Sequence, residues 1–378
     1  MKIVQAKKIG SNSWEYISTK KKLNKPLVLV FASRLLLESK EVLKDIRNEF
    51  PYEYLVFGST AGEILGEFVY DDSIVVTAIE FNKSSFIIKT GNIFNFNKDA
   101  KALGKSIVKE LPKENLKHVF TLSEGSFVNG SALIEGLETT FEENKISMTG
   151  GMCGDGAAFE KTLTSYKEDP KEGEVVLIGF YGESLEISYA SVGGWNTFGP
   201  ERIITKSKGN VLYEIDNKPA LDLYSKYLGD KAAELPQSSL YYPLNLTLTG
   251  KTKPVVRTVL SINKDDSSMT LAGNMPKDSK VQLMMSTVDN IANGAYDAAN
   301  LAMEGRNKKP QLALLVSCIG RKIVMDQRVE EEIEEVMDIV GNKTSIVGFY
   351  SYGEMAPFHG ERQCELHNQT MTLTLISE

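Results

Sequence analysis

The stretch Leu27-Val-Leu-Val-Phe-Ala32 is a short, continuously apolar run. An amphipathic stretch at residues 38–50 and a second apolar run at residues 54–57 follow it. An apolar run of this length is typical of a buried strand, and the amphipathic stretch is typical of a helix that covers a sheet. Strands that alternate with helices predict an α/β layer architecture.

The same alternation continues along the chain. Further strands are predicted at residues 73–81, 86–90, 118–122, 174–181, 186–192, 255–262, 269–272, 312–317, 344–349 and 369–376. Further helices are predicted at residues 98–111, 130–144, 220–228, 289–303 and 328–339. We therefore expect an α/β fold of two lobes, residues 1–219 and 220–378, each built on mixed β-sheets covered by helices and sharing a cleft.

Composition argues against several classes of protein. The 43 Lys and Arg residues are outnumbered by 50 Asp and Glu residues, so the net charge of −7 provides no general field that attracts nucleic acid. The apolar runs are too short to span a membrane, and the N-terminus lacks the apolar segment of a secretory signal. Three cysteines without a Cys-x-x-Cys spacing indicate a reducing compartment and no structural zinc site. We expect a cytoplasmic protein without membrane insertion.

A short pattern recurs three times. Gly58-Ser-Thr-Ala-Gly-Glu63 and Gly150-Gly-Met-Cys-Gly-Asp155 share a glycine, three residues, a second glycine and an acid, and Phe349-Tyr-Ser-Tyr-Gly-Glu354 repeats the end of the pattern. The first segment follows the predicted strand at residues 54–57, the second lies in a strand-like stretch at residues 146–151, and the third begins at the end of the predicted strand at residues 344–349. Glycine permits a tight turn or a close backbone approach, and the acid is then displayed at a fixed place beside it. A common structural origin and a chance match both remain open at this point.

The last of these segments also resembles a known family. Gly348-Phe-Tyr-Ser-Tyr-Gly-Glu-Met-Ala-Pro357, with the block from Leu366-His-Asn-Gln-Thr370 to Thr374, is similar to the end of FIST C domains, as is Leu315-Val-Ser-Cys-Ile-Gly-Arg321. Phe57-Gly-Ser-Thr-Ala-Gly-Glu-Ile64 and Thr149-Gly-Gly-Met-Cys-Gly-Asp155 are similar to FIST N motifs. The resemblance covers nearly the whole chain.

This resemblance implies a sensory module of prokaryotic signalling that binds a small ligand, with amino acids as the usual proposed ligands. It also implies an alternative, because some members have been described as haem-based nitric oxide sensors. Many relatives carry a kinase, cyclase or chemotaxis domain. We therefore expect the signal to pass to a partner such as a histidine kinase, a cyclase or a chemoreceptor.

Two arginines are candidates for a ligand carboxylate. Arg257 places a permanent cation in an apolar run, and its planar guanidinium suits a carboxylate. Arg321 follows a predicted strand, where open α/β sheets commonly hold ligands. A salt bridge within the protein is the alternative for both residues.

Other candidates would complete the site. Asp155 and Glu354 could receive a ligand ammonium, although acids in turns more often accept hydrogen bonds from nearby backbone groups. Trp195 and Tyr352 could form walls of the cleft, since aromatic side chains line many small-molecule sites.

Cys318 and His367 belong to two further hypotheses. Cys318 ends a predicted strand near Arg321, so it is a possible ligand contact and also the candidate nucleophile of a thiol-dependent hydrolase. His367 is the best-placed imidazole for the haem alternative. The leading hypothesis requires no cofactor and no catalytic residue.

Overall fold

A computed structural model describes residues 1–144, 146–249 and 253–378 of the chain. The strands are β1 (Lys2–Ile9), β2 (Glu15–Tyr16), β3 (Leu27–Ser33), β4 (Tyr54–Thr60), β5 (Glu63–Leu65), β6 (Phe68–Tyr70), β7 (Ser73–Glu80), β8 (Ser85–Asn92), β9 (Leu116–Ser123), β10 (Ser147–Met152), β11 (Thr164–Tyr166), β12 (Glu174–Tyr181), β13 (Glu186–Val192), β14 (Asn196–Lys208), β15 (Val211–Ile215), β16 (Lys218–Pro219), β17 (Leu244–Thr247), β18 (Val255–Arg257), β19 (Val259–Asn263), β20 (Ser268–Leu271), β21 (Lys280–Met285), β22 (Leu312–Cys318), β23 (Ser345–Ser351), β24 (Gly353–Pro357), β25 (Cys364–His367) and β26 (Met371–Ser377).

The helices lie between these strands. They are α1 (Arg34–Glu38), α2 (Lys40–Glu49), α3 (Ala100–Lys109), α4 (Gly130–Asn144), α5 (Ala220–Leu228), α6 (Val288–Met303), α7 (Ile319–Met325) and α8 (Glu331–Val340), with 3-10 turns at Ile93–Phe96, Gly229–Glu234, Gln237–Tyr241 and Asp326–Arg328. The predicted α/β class is therefore confirmed. Within the described ranges, the longest helix has 16 residues, and none combines the length and apolar character needed to cross a bilayer.

Three units of the chain share one topology. In the first unit, β3 is parallel to β4, which follows it through α1 and α2, and antiparallel to β7, giving the strand order β4-β3-β7-β1. The second unit repeats this order as β10-β9-β12-β8, and the third as β23-β22-β26-β13. Strands such as β22 are buried along their whole length, because both faces of these sheets are covered.

The units exchange strands in a cycle. Strand β5 of the first unit joins β23 of the third, β24 of the third joins β10 of the second, and β11 of the second joins β4 of the first. Each repeated segment leads to an exchanged strand: β5 begins at Glu63 and β24 at Gly353, within their segments, and β11 follows the second segment. The segments therefore occupy corresponding positions in the three units, which favours a common structural origin over a chance match.

The three segments also meet one another. Gly154 N donates to Ser59 O over 3.0 Å, Ala61 N donates to Tyr350 O over 2.8 Å, and Tyr352 N donates to Met152 O over 3.1 Å. A Cβ atom at Gly154 would lie 2.9 Å from Ala61 N, so a glycine is needed for this close backbone approach.

The fourth sheet forms a separate body. Its order is β18-β17-β21-β14-β15-β20-β19, with β16 beside β15, and α5 packs into its own apolar core. We call residues 196–285 the small body, and residues 1–195 and 286–378 the large body. The predicted division at residue 219 falls inside the small body, because β14 and β15 precede that residue but pair with strands that follow it.

Candidate ligand-binding cleft

A cleft separates the small body from the start of α4 in the large body. The amide of Asn129 donates to the side-chain oxygen of Asn274 over 3.2 Å, and Asn274 N donates to the Ser131 hydroxyl over 3.3 Å. These contacts bridge the two bodies. One cavity includes Ser131 and Asn274 in its lining, and another includes Asn129 and Gly273.

The first cavity, the Arg257 cavity, has a volume of about 470 Å³. The large body contributes α3, α4 and the start of β25 to its lining, and the small body contributes Leu248, Arg257, Asn274 and Pro276. Its charged lining residues are Lys101, Lys105, Glu135, Glu138, Arg257 and Glu365. Charges of both signs therefore surround one space.

Arg257 is held by main-chain carbonyl groups. Its Nη1 donates to Leu366 O over 2.7 Å and to Val256 O over 3.0 Å, and its Nε donates to Asn274 O over 3.4 Å. Among the described residues, Nη2 has no hydrogen bond and the guanidinium has no ion pair within 4.0 Å. The residue is only 3% exposed. A buried cation therefore faces the cavity with one donor group still available.

The local backbone and the electrostatics both allow Arg257 to be a buried, charged group at the cavity. A Cβ atom at Gly273 would lie 2.7 Å from Arg257 Nε, so the absence of a side chain there makes room for the guanidinium. Burial lowers the pKa of Arg257 to about 10, while Glu365 acts in the opposite direction. The group remains charged at neutral pH, and a buried unpaired cation is costly until an anion joins it.

The second cavity, the Tyr352 cavity, has a volume of about 520 Å³. The large body contributes the loop at residues 125–130, Phe159 and Tyr352, and the small body contributes Asn210, Ser261 and residues 270–273. Leu366 lines both cavities. The predicted candidates Arg257 and Tyr352 thus lie in the same cleft but in different cavities.

Asp155 lies behind Tyr352 and organises a loop. Its carboxylate accepts hydrogen bonds from the backbone N–H groups of Phe159, Glu160 and Lys161 over 2.9–3.1 Å, and from the Tyr352 hydroxyl. The side chain is fully buried, and Arg34 Nε lies 3.6 Å from it. The carboxylate accepts its hydrogen bonds from groups within the protein, which was the predicted alternative for an acid in a turn. This geometry therefore does not present it to a ligand ammonium.

The Glu354 carboxyl group is also hydrogen-bonded within the protein. It accepts hydrogen bonds from the Ser351 hydroxyl over 2.5 Å, from the Thr370 hydroxyl over 2.9 Å and from Thr370 N over 3.2 Å. Burial raises the pKa of Glu354 to about 8. A carboxyl group that is buried and protonated at neutral pH is a poor partner for an ammonium group, in contrast to the predicted role.

The Arg321 side chain is paired with other groups of the protein. Its Nη2 lies 2.7 Å from a carboxylate oxygen of Glu332, its Nη1 donates to Gly193 O, and its Nη2 also donates to Ile291 O over 2.8 Å. Both side chains of the ion pair are fully buried. The salt bridge, the alternative to the predicted ligand contact, is what the structure contains.

Trp195 and Cys318 also differ from their predicted roles. The Trp195 indole donates to Gln369 O over 3.0 Å and packs against Ile291 and Met325, so it fills a small apolar cluster and does not line the cleft. Cys318 is 3% exposed, and burial raises the pKa of its thiol well above the usual value. A buried neutral thiol is a weak nucleophile, and the geometry gives the hydrolase alternative no support.

The histidines are engaged in the fold. His367 is 4% exposed, its Nε2 lies 2.9 Å from Ala356 O, and burial lowers its pKa to about 4. His118 lies between Ser147 and Thr149, at 2.8 Å from each hydroxyl, and the exposed His359 lies 3.2 Å from Glu304. The haem alternative stays a prediction.

Sequence reasoning missed three residues that shape the cleft. Glu124 holds the loop at residues 124–127, Phe159 forms part of a wall, and Gly273 makes room for Arg257. The available signal for Glu124 was the segment Leu122-Ser-Glu-Gly125, which places an acid directly after a strand and before a glycine.

Comparisons with known proteins agree with the sequence resemblance. Residues 26–218 match the FIST N domain and residues 220–357 match the FIST C domain. An uncharacterized protein of Methanocaldococcus jannaschii is 21% identical in an alignment of 380 positions that covers 89% of this chain and 71% of that protein. FIST domains are sensory, non-enzymatic domains of signal transduction. Because the two matches together span most of the sequence, the chain belongs to the FIST family.

Proposed function

We propose that this chain is a sensor whose ligand is a small zwitterion, most simply an amino acid, bound in the Arg257 cavity. The observation that carries the proposal is the buried guanidinium of Arg257, which lines the cavity and keeps Nη2 available. A ligand carboxylate would supply the missing anion and form a charge-assisted hydrogen bond.

The opposite charge in the same cavity supports a zwitterion over a simple anion. Glu138 and Glu365 line the cavity together with Arg257, and Glu138 already accepts a hydrogen bond from Cys364 N over 2.9 Å. A carboxylate has several acceptor positions, so it can receive a ligand ammonium as well.

The position of Arg257 suggests how binding is reported. Arg257 belongs to the small body, but its Nη1 donates to Leu366 O in the large body. A ligand that binds the same guanidinium would change this contact and favour one arrangement of the two bodies. The shift cannot exceed the difference between the ligand's binding free energies to the two arrangements. A partner such as a histidine kinase, a cyclase or a chemoreceptor would respond to the favoured arrangement.

The first test uses the unmodified protein. Thermal-shift screening and calorimetry would compare the binding of each amino acid with that of two analogues. In the first, the primary amide, a neutral carboxamide replaces the carboxylate. In the second, the decarboxylated amine, the carboxylate is removed altogether. A ligand that binds only the folded state raises the apparent stability. We expect the amino acid to bind and both analogues to bind at least about tenfold more weakly, as loss of a hydrogen bond to a charged group implies.

A matched pair of variants locates the site. Arg257→Gln should lose the ligand, whereas Arg306→Gln should keep it. Arg306 is a suitable control because its side chain is 3% exposed and also donates to main-chain carbonyls, including Leu375 O over 3.1 Å. Equal affinity for the acid and the amide, or unchanged binding by Arg257→Gln, would refute the proposal.

A further inference from the structure

The loop at residues 124–127, which borders the Tyr352 cavity, is pinned by a buried acid. The Glu124 carboxylate accepts hydrogen bonds from Ser126 N over 2.6 Å and from Phe127 N over 2.7 Å. Glu124 itself is fully buried, whereas Phe127 is 39% exposed. The buried carboxylate thus fixes the backbone of a loop that displays an aromatic ring at the cavity.

The loop at residues 155–161 is built in the same way. Asp155 accepts hydrogen bonds from three successive backbone N–H groups, beginning with that of Phe159. Phe159 is 37% exposed and has a φ of 56°. A bulky residue rarely adopts this left-handed conformation, and such strain persists only where the surroundings impose it.

Hydrogen bonds of Thr162, directly after the second loop, link the two loops. The Thr162 hydroxyl donates to Glu124 over 2.5 Å and accepts a hydrogen bond from Gly125 N over 2.7 Å. The ring of Phe159 stacks on Tyr352 with centroids 4.5 Å apart and planes 17° apart. Hydrogen bonds therefore fix the backbones of two exposed phenylalanines on the lining of a single cavity. The ring of Phe159 stacks on Tyr352 beneath it, and the ring of Phe127 packs edge-on against Phe94 with centroids 5.1 Å apart.

We infer that the Tyr352 cavity is a second binding site, distinct from the Arg257 cavity, which takes a small planar aromatic or heteroaromatic molecule. Preorganised aromatic faces favour ring stacking, which adds to the affinity that burial alone provides. The small body supplies polar groups from Asn210, Ser261 and Thr270 that can orient ring substituents. Aromatic walls with a few polar groups are typical of small-molecule sites.

A neutral pair of probes tests this site independently of Arg257. Calorimetry and ligand-observed NMR would compare 2-naphthol with its fully saturated analogue, decahydro-2-naphthol, which is similar in size but has no aromatic face. We expect 2-naphthol to bind more tightly, and Arg257→Gln to leave its affinity unchanged. Failure of amino-acid binding would then not affect the result.

Variants on both loops connect binding to the two rings. Phe159→Leu and Phe127→Leu should each weaken 2-naphthol binding about two- to tenfold, the range expected for one aromatic contact. Phe68→Leu is the control, because Phe68 is 47% exposed on β6 and does not line the cavity. The inference is overturned if 2-naphthol does not bind at millimolar concentration, if the saturated analogue binds equally well, if both loop variants retain full affinity, or if the control loses affinity to the same extent.

Discussion

The Tyr352 hydroxyl donates a hydrogen bond to the Asp155 carboxylate, although the two residues are 197 positions apart. The same hydroxyl accepts hydrogen bonds from Asp155 N over 3.1 Å and from Phe159 N over 3.0 Å. Both residues belong to the repeated segments. This contact therefore ties the second unit to the third where the strands are exchanged, and it fixes the loop that carries Phe159.

Removal of the Asp155 charge should destabilise the protein. In Asp155→Asn, an amide N–H₂ replaces one acceptor oxygen among several donors, and we expect a loss of about 1–3 kcal/mol in the free energy of unfolding. Urea unfolding would measure it. Asp169→Asn is the control, since Asp169 forms an exposed pair with Arg47 at 2.8 Å and such pairs contribute little. Equal losses in the two variants would contradict the assigned role.

The buried pair of Arg321 and Glu332 should behave as a structural element. Arg321→Met leaves a buried carboxylate without its cation, so we expect a loss of about 3–5 kcal/mol in the free energy of unfolding. The double variant Arg321→Met/Glu332→Leu should lose less than the sum of the two single losses. Amino-acid affinity of the folded Arg321→Met protein should be unchanged, and a specific loss of ligand binding would return Arg321 to the site.

Stability should fall as the pH rises because of Glu354. Burial raises the pKa of Glu354 from 4.5 to about 8, so between these values the folded state keeps a proton that the unfolded state has released. The associated stability is fully present below pH 4.5 and is lost as the pH rises through about 8. Unfolding free energies of the native protein and Glu354→Gln at pH 5, 6.5 and 8 would measure this.

Comparing the native protein with Glu354→Gln separates the contribution of Glu354 from those of all other titratable groups. We expect the native protein to lose stability relative to Glu354→Gln over this range, by about 1.4 kcal/mol for each unit of pKa difference that the pH crosses. Glu63 is buried in the same way and its pKa is raised to about 7, so it should contribute similarly in both proteins. Parallel pH profiles would show that Glu354 is ionised in the folded state.

The cysteines should be unreactive in the folded protein. Cys153, Cys318 and Cys364 are all buried, and burial raises the pKa of each thiol. We expect the reagent 5,5′-dithiobis(2-nitrobenzoic acid) to label none of them at pH 8 until urea unfolds the chain. Rapid labelling of Cys318 in the native protein, abolished in Cys318→Ala, would revive the hydrolase hypothesis.

A haemin titration tests the haem alternative. Because His367 Nε2 already contacts Ala356 O, we expect no Soret band that depends on this residue. Absorption spectra of the native protein, His367→Gln and the exposed control His359→Gln would be compared. A band that only His367→Gln abolishes would favour gas sensing instead.

Much of the secondary structure follows from local patterns. The predicted strand at 312–317 and helix at 289–303 correspond to β22 and α6 within one residue at each end, because burial imposes regular apolar spacing. Strand β14 was missed. It contains Gly199 and Pro200, which are typical of turns, and its pairing with β21 shifts register there. Pairing of β14 with β15 and β21 formed the strand despite these two residues.

The α/β class, the family and the three repeated segments could all be predicted from the amino-acid sequence, since each depends on residues close together in the chain. The exchange of strands between the units and the arginine that faces a cavity became apparent from the three-dimensional fold. Arg257 lies within an apolar run and Arg321 follows one, yet Glu332 on α8 neutralises Arg321, whereas Arg257 contacts carbonyl oxygens and keeps one donor available. The difference arises because the partner of a buried charge is chosen by proximity in space, which the local sequence does not encode.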